Sequence, residues 1–189
     1  SDPNGEKIII WYKNRIGEDK AFIFTGFHRK NFISCPNNSF VIAFLKSYIY
    51  NARHGGGKNT IKAANDPNIT VHLEDANTVT GGVDKYHNNG DGDHIVCWDP
   101  TTGLKLTNGG HQSAATKLEH EFDHAVDDIT NHKAHRYAQK ADGSRYDNPE
   151  EKRVIEGSEA QTAKGNGEGV RHNHRGTKYP TISPTSIKE

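Results

Sequence analysis

Methionine is absent from all 189 residues, and cysteine occurs only twice. The missing methionine leads us to expect a mature piece released from a larger polypeptide. Cys35 and Cys97 are too few for a disulfide framework or a cysteine-based zinc site, and their spacing does not say whether they meet. No run of roughly 18 apolar residues exists, which excludes a transmembrane helix. The longest apolar stretch, Phe40 to Tyr50, is interrupted by Lys46 and Ser47. A signal peptide is not expected from this sequence. Net charge is lacking too: Lys+Arg and Asp+Glu balance at 24 each. The basic excess typical of nucleic-acid binders is therefore missing, and no nucleic-acid partner is expected. Apolar residues make up only 32%, with 19 glycines, so a loop-rich single domain over 1–189 with a modest core is expected. Histidine is the residue in excess, at 12, and points weakly toward metal binding.

Apolar patterning predicts an α+β fold. Ile8 to Tyr12 and Ala21 to Phe24 are β-branched or aromatic runs separated by turn residues, as in a β-hairpin. Asn37, Asn38 and Ser39 offer N-cap chemistry to a buried helix reaching about residue 52. Asn68 to Leu73 and His94 to Trp98 read as further strands, with a solvated Gly/Asp loop at 88–93 that fails the spacing of a calcium-binding loop. A helix capped by Gln112 or Ser113 is expected to run to about Asp128, followed by a polar loop from Thr130 to Asn148. A second helix starts at Asn148-Pro149 and ends near Gly165, leaving a loop-rich tail over 164–189.

The chemistry concentrates in His120-Glu121-Phe122-Asp123-His124. Histidines four residues apart on a helix project from one face, one turn apart, and two neutral imidazoles so placed can share a zinc ion. Glu121 lies between them, placed to take a proton from a water beside the metal. Leu118, Phe122, Ala125 and Ile129 form an apolar stripe on the opposite side. The core thus anchors one face and leaves the other to a cleft. A catalytic zinc site needs a third protein ligand. The position six residues after His124 is Thr130, so the ligand must come from further along. His132 and His135 fall in the expected polar loop. Glu150, Glu151, Glu156 and Glu159 lie on the next helix, while Asp127 and Asp128 suit supporting roles to the histidines. Glu151 also falls at N3 of that helix, where a capping box alone would explain it.

The segment Glu150-Glu151-Lys152-Arg153-Val154-Ile155-Glu156-Gly157, beginning 26 residues after His124, resembles the Glu-Glu-x-Arg-x-x-x-Gly stretch of clostridial neurotoxin light chains. Related stretches occur in bacterial effector zinc endopeptidases delivered by type III and type VI secretion. This resemblance covers mainly residues 118–128 and 149–161. It implies a zincin-like metallopeptidase domain, a small mixed sheet with the HExxH helix. It implies Zn2+ held by His120, His124 and Glu151, with Arg153 supporting. Glu150 and Glu156 remain the alternatives for the third ligand. The family's distal Arg and Tyr have no clear match; Arg171, Arg175 and Tyr179 qualify by residue type, and Tyr179 is the candidate donor to an oxyanion.

Ser1-Asp2-Pro3-Asn4-Gly5 resembles the Asp-Pro-x-Gly junction that closes the core of Rhs-type polymorphic toxins, so residues 1–6 read as a remnant of that junction. The resemblance implies a toxin domain delivered into a target cell, a protein substrate there and a cognate immunity protein. The lack of a long apolar run leads us to expect no membrane insertion by this domain. Two rival readings stand beside this one. Arg171-His172-Asn173-His174-Arg175 suggests a nuclease toxin using His172 and His174, although adjacent residues point apart. A zinc-binding module without catalysis is the other.

Overall fold

A computed structural model describes residues 7–27 and 34–189. The Ser1–Gly5 motif lies outside these residues. The chain folds as α+β, with a small mixed sheet covered by helices. Strand β1 (Lys7–Lys13) pairs antiparallel with β2 (Asp19–Phe24), the expected hairpin. Helix α1 (Ser39–Arg53) starts where the Asn38 side chain accepts hydrogen bonds from the amides of Phe40 and Val41. Helix α2 (Lys58–Asn65) and strand β3 (Thr70–Asp75) follow. After a single helical turn, α3 (Ala76–Val79), come β4 (Lys85–Asn88) and β5 (His94–Trp98). The five strands order as β2-β1-β3-β5-β4, with β1, β3 and β5 parallel and each edge strand antiparallel to its neighbour. Strand β4 therefore ends the sheet, and the 88–93 segment is the loop from β4 to β5.

Alternation along β1 sends Ile8 and Ile10 into the core while Trp11 stays part-exposed on the other face. The buried face meets Phe40, Val41 and Phe44 of α1 and the apolar stripe of a long helix, α4 (Ala114–Ala138). Leu118, Phe122 and Ala125 of that stripe are fully buried, and Ile129 packs at the core's edge. Ser113 caps α4 by accepting from the amide of Thr116, and the Trp98 indole donates to the Ala114 carbonyl at 2.8 Å, fixing the helix to the end of β5. Cys35 and Cys97 are both free thiols. Among the described residues, no helix is long and apolar enough to cross a membrane.

Helix α4 does not stop near Asp128. It continues to Ala138 across a kink at Asn131 (φ −136°, ψ 38°). His132 and His135 therefore lie on a helix and not in a polar loop. The extension holds because His135 is buried, its Nδ1 contacting Asp127 at 3.1 Å and Glu150 at 3.2 Å. Beyond α4 come α5 (Pro149–Val154), a wider π turn (Ile155–Glu159) and α6 (Ala160–Gly165). A second, small sheet joins β6 (Thr102–Lys105), β7 (His111–Gln112) and β8 (Thr177–Pro180), so the expected tail contains one short strand.

Helix α2 was not expected from the sequence, because its cap is remote. Gly57 at its start has no side chain to offer. The buried carboxylate of Glu119 on α4 does the work instead, accepting from the amides of Asn59 and Thr60 at 2.7 and 3.1 Å and from both side chains. Glu119→Ala strands these donors in the interior, so unfolding stability is expected to fall by about 3 kcal/mol. Urea titration of the metal-free protein measures this; a loss below about 1 kcal/mol would contradict the capping role.

Candidate metal centre

Helix α4 presents His120, Glu121 and His124 toward a cleft of about 420 Å³, bordered by Asp84, Lys85 and Tyr86 at β4 and by Glu150, Glu151 and His174. The two imidazoles meet edge to face, with Nε2 of one 3.1 Å from Nε2 of the other. Helix α5 passes beside them. Asn148 caps it by accepting from the Glu151 amide at 2.9 Å, and Pro149 occupies the first turn. Glu151 thus sits at the N3 position, yet its carboxylate turns to the histidines, one oxygen 3.3 Å from His120 Nε2 and the other 3.4 Å from His124 Nε2. Cap geometry and ligand geometry coexist here: Asn148 supplies the cap and leaves the Glu151 side chain free for the cleft.

The other carboxylates of this segment separate by role. Glu150 accepts from His124 Nδ1 at 2.9 Å and is gripped by Arg153 at 2.9 and 2.7 Å. Glu156 turns away and accepts from the Tyr146 hydroxyl. Glu159 accepts from His120 Nδ1 at 2.6 Å and pairs with the buried Arg171 at 2.7 and 2.6 Å. Arg153 also reaches Asp123 at 2.7 Å, tying α5 back to α4. Asp127 and Asp128 do not support His120 or His124. Asp127 holds His135 and Asn131, while Asp128 accepts from the Tyr86 hydroxyl and His132. One turn further along α4, their carboxylates are taken up by His135, Asn131, Tyr86 and His132. Glu150 and Glu159 fill the expected supporting places.

The π turn explains how Glu159 reaches its partner. Nine positions on a regular helix rotate a side chain by about 180°, which would put Glu150 and Glu159 on opposite faces. The π turn, with Gly157 at φ −97° and ψ −110°, takes up an extra residue and brings both to α4. Ser158 in the same turn donates to Asp123.

These donors fit a divalent cation. Each Nδ1 is engaged by a carboxylate, so in the neutral rings the hydrogen sits on Nδ1 and both Nε2 atoms present lone pairs. Lone pairs facing each other across 3.1 Å repel unless positive charge lies between them. Glu151 Oε2 is buried without a hydrogen-bond donor. Tetrahedral zinc with bonds of about 2.0–2.2 Å spaces neighbouring ligand atoms by about 3.4 Å, close to the separations found. Charge points the same way. Burial disfavours an imidazolium at His120, but the neighbouring carboxylates of Glu151 and Glu159 outweigh it and push the pKa up to about 9. Burial likewise opposes charge on His124, and Glu150 and Glu151 lift it to about 10. Burial would raise Glu151 as well, yet the two histidines hold it far below the usual carboxylate range. A pocket that concentrates protons in this way also concentrates a dication.

Glu121 is buried and places a carboxylate oxygen within 4.8 Å of an imidazole nitrogen of each histidine. Burial raises its pKa against the pull of His120 and His124, which suits a group that accepts and returns a proton. Arg171 is buried at the cleft through its Glu159 pair, whereas Arg175 is exposed. Tyr179 is directed elsewhere. Its hydroxyl donates to the Ile187 carbonyl at 2.7 Å and its ring meets His111, because β8 pairs with β6 and not with the cleft. The 171–175 stretch is irregular and forms no ββα unit. Asn173 turns to Thr107 while His174 turns to Glu151, so the two diverge.

Glu159 was expected on the second helix among the candidate carboxylates but not in its role as partner of His120, and His174 stood out only as part of a His-Asn-His run. No protein-family model, curated protein or solved structure matches the chain.

Proposed function

We propose that the chain is a zinc-dependent endopeptidase with a zincin-like domain, acting as a secreted toxin in a target cell. One observation carries the catalytic reading. His120 Nε2, His124 Nε2 and the Glu151 carboxylate converge at 3.1–3.4 Å, with Glu121 beside them in an open cleft. His120, His124 and Glu151 would hold the ion. Bound there, zinc lowers the pKa of a water and polarises a carbonyl. Glu121 accepts the proton of the attacking water and passes it to the leaving amine. Glu159 and Glu150 fix the tautomer of each histidine, keeping both Nε2 lone pairs directed inward.

The terminal strand β4 supports a peptide as substrate. It borders the same cleft and, among the described residues, pairs on one side only, so an extended chain can add alongside it by main-chain hydrogen bonds. Delivery from a larger Rhs-type polypeptide by a type VI or related system, and a cognate immunity protein, follow from the Ser1–Gly5 resemblance.

The test is metal-dependent proteolysis. The protein is expected to bind one zinc per chain and to cleave an unfolded protein substrate. Chelation should remove at least 90% of the activity, as expected when the metal supplies the chemistry, and added zinc should restore it, roughly in proportion to occupancy. Cleavage that survives complete metal removal would sink the proposal, as would DNA hydrolysis without proteolysis.

A further inference from the structure

His174 has no part in the three-ligand site, yet it faces that site closely. Its Nε2 lies 3.3 Å from Glu151 Oε2, the same separation as between His120 Nε2 and that oxygen. The His174 and His120 rings are parallel within 9°. Donor atoms of His120, Glu151 and His174 all fall within 4.8 Å of one another, spacing that permits one shared ion. From these positions we propose that His174 is a fourth protein ligand of the ion held by His120, His124 and Glu151. The inference rests on the metal-site reading above and adds to it a ligand that closes the resting site.

The surroundings of His174 are those of a metal ligand. Its Nδ1 donates to Asp147 Oδ2 at 2.7 Å, which leaves a lone pair on Nε2, just as Glu159 and Glu150 do for the other two histidines. The segment is anchored on both sides of the cleft. Its backbone amide donates to the Arg145 carbonyl at 2.9 Å, and Arg171, three residues earlier, is locked to Glu159.

Asp147 supplies an independent sign. Among the described residues it is the only non-glycine with positive φ, at 73°. A glycine would adopt this conformation freely, whereas an L side chain there costs on the order of 1 kcal/mol. This left-handed residue leads directly into Asn148 and the start of α5. A carboxylate in place of glycine has a use: it orients His174. One turn thus aims two things at the ion, Glu151 through α5 and His174 through Asp147.

A fourth protein ligand takes the position that a hydrolytic water needs, so turnover requires His174 to withdraw or the coordination to expand to five. His174 is the ligand able to do this. Its side chain is 34% exposed, against 6%, 7% and 17% for His120, His124 and Glu151.

The experiment uses the full chain with zinc and, as a spectroscopic probe, Co2+. Zinc affinity is measured by chelator competition, and coordination number by the visible spectrum of the cobalt form. His174→Ala is expected to weaken zinc at least tenfold, about the loss typical when a supporting interaction of a metal site is removed, and to change the cobalt spectrum. Asp147→Gly should shift affinity the same way by a smaller factor. Its metal-free form should melt no lower than wild type, since glycine accepts the backbone conformation. Unchanged affinity and cobalt spectrum in both variants, with binding abolished in His120→Ala, would overturn the fourth ligand and leave the three-ligand site standing. Absence of zinc binding by the wild type would instead overturn the metal site itself, and the fourth ligand with it.

Discussion

Glu121→Gln is expected to remove peptide hydrolysis while leaving zinc in place. The amide keeps the size and burial of the carboxylate but cannot accept the water's proton, and loss of a positioned general base lowers the rate by about 10²–10⁴-fold. His120, His124 and Glu151 keep their Nε2 and carboxylate positions, because their supports are Glu159, Glu150 and Asn148, none of which depends on Glu121. The measurement pairs metal content with the cleavage rate of one peptide. If the chain acts as a toxin, the variant should also lose toxicity on expression in a susceptible cell. Full activity with Gln at position 121 would remove the proposed role of Glu121. Loss of zinc together with activity would make it a ligand or a structural residue instead. The nuclease alternative predicts the reverse pattern, with Glu121→Gln tolerated and His172 or His174 essential.

The second large effect is the dependence of zinc affinity on pH. Protons and zinc compete for the same Nε2 atoms, and the surrounding carboxylates raise the pKa of His120 to about 9 and of His124 to about 10 in the metal-free protein. The sign follows directly. A raised pKa means that protons are still held at neutral pH, so zinc must displace them, and affinity climbs as pH rises. At least one proton is displaced per ion, giving about a tenfold gain or more per pH unit. Ordinary histidines, with pKa near 6.5, would give a plateau above about pH 7.5. Here affinity should still be rising between pH 7 and 8.5, which chelator competition at several pH values would register. A flat profile over that range would show that the carboxylates do not tune the histidines as described. The same shifts act on the metal-free fold. Histidines with raised folded pKa stabilise it fully below about pH 6.5, and that contribution is lost as pH climbs through 9 to 10. Glu150 and Glu151, held low, act oppositely: their contribution is present above about pH 4.5 and disappears as acid protonates them.

Residues whose signals are local could be read from the sequence. The apolar stripe Leu118, Phe122, Ala125 and Ile129 placed the histidines on the face opposite the core, and the helix carries them there. Asn148-Pro149 marked the start of α5, which determines where Glu151 can reach. The hairpin and the strand over His94–Trp98 followed from β-branched runs. What escaped depends on contacts distant in sequence. Helix α2 is capped by Glu119, some 60 residues away, so no cap signal stands next to it. The run after Thr130 is polar and reads as a loop, yet buried His135 keeps it helical through Asp127 and Glu150. Gly157 inside an expected helix was the one local hint of the π turn, and only that turn brings Glu159 to His120. Tyr179 shows the converse error, in which residue type alone suggested a role that strand pairing rules out of the cleft.

Strand β4 is four residues long, from Lys85 to Asn88, and this brevity has a consequence of its own. At about 3.3 Å per residue it spans roughly 13 Å, so it can register only about four residues of an added chain. A long bare edge would also invite a second copy of the protein to pair with it, and short edges carrying lysine suppress such pairing. Lys85 opens this strand, and its exposed side chain sits at the cleft's margin. If a peptide adds to this edge as proposed, selectivity for it must be written in a window of about four residues.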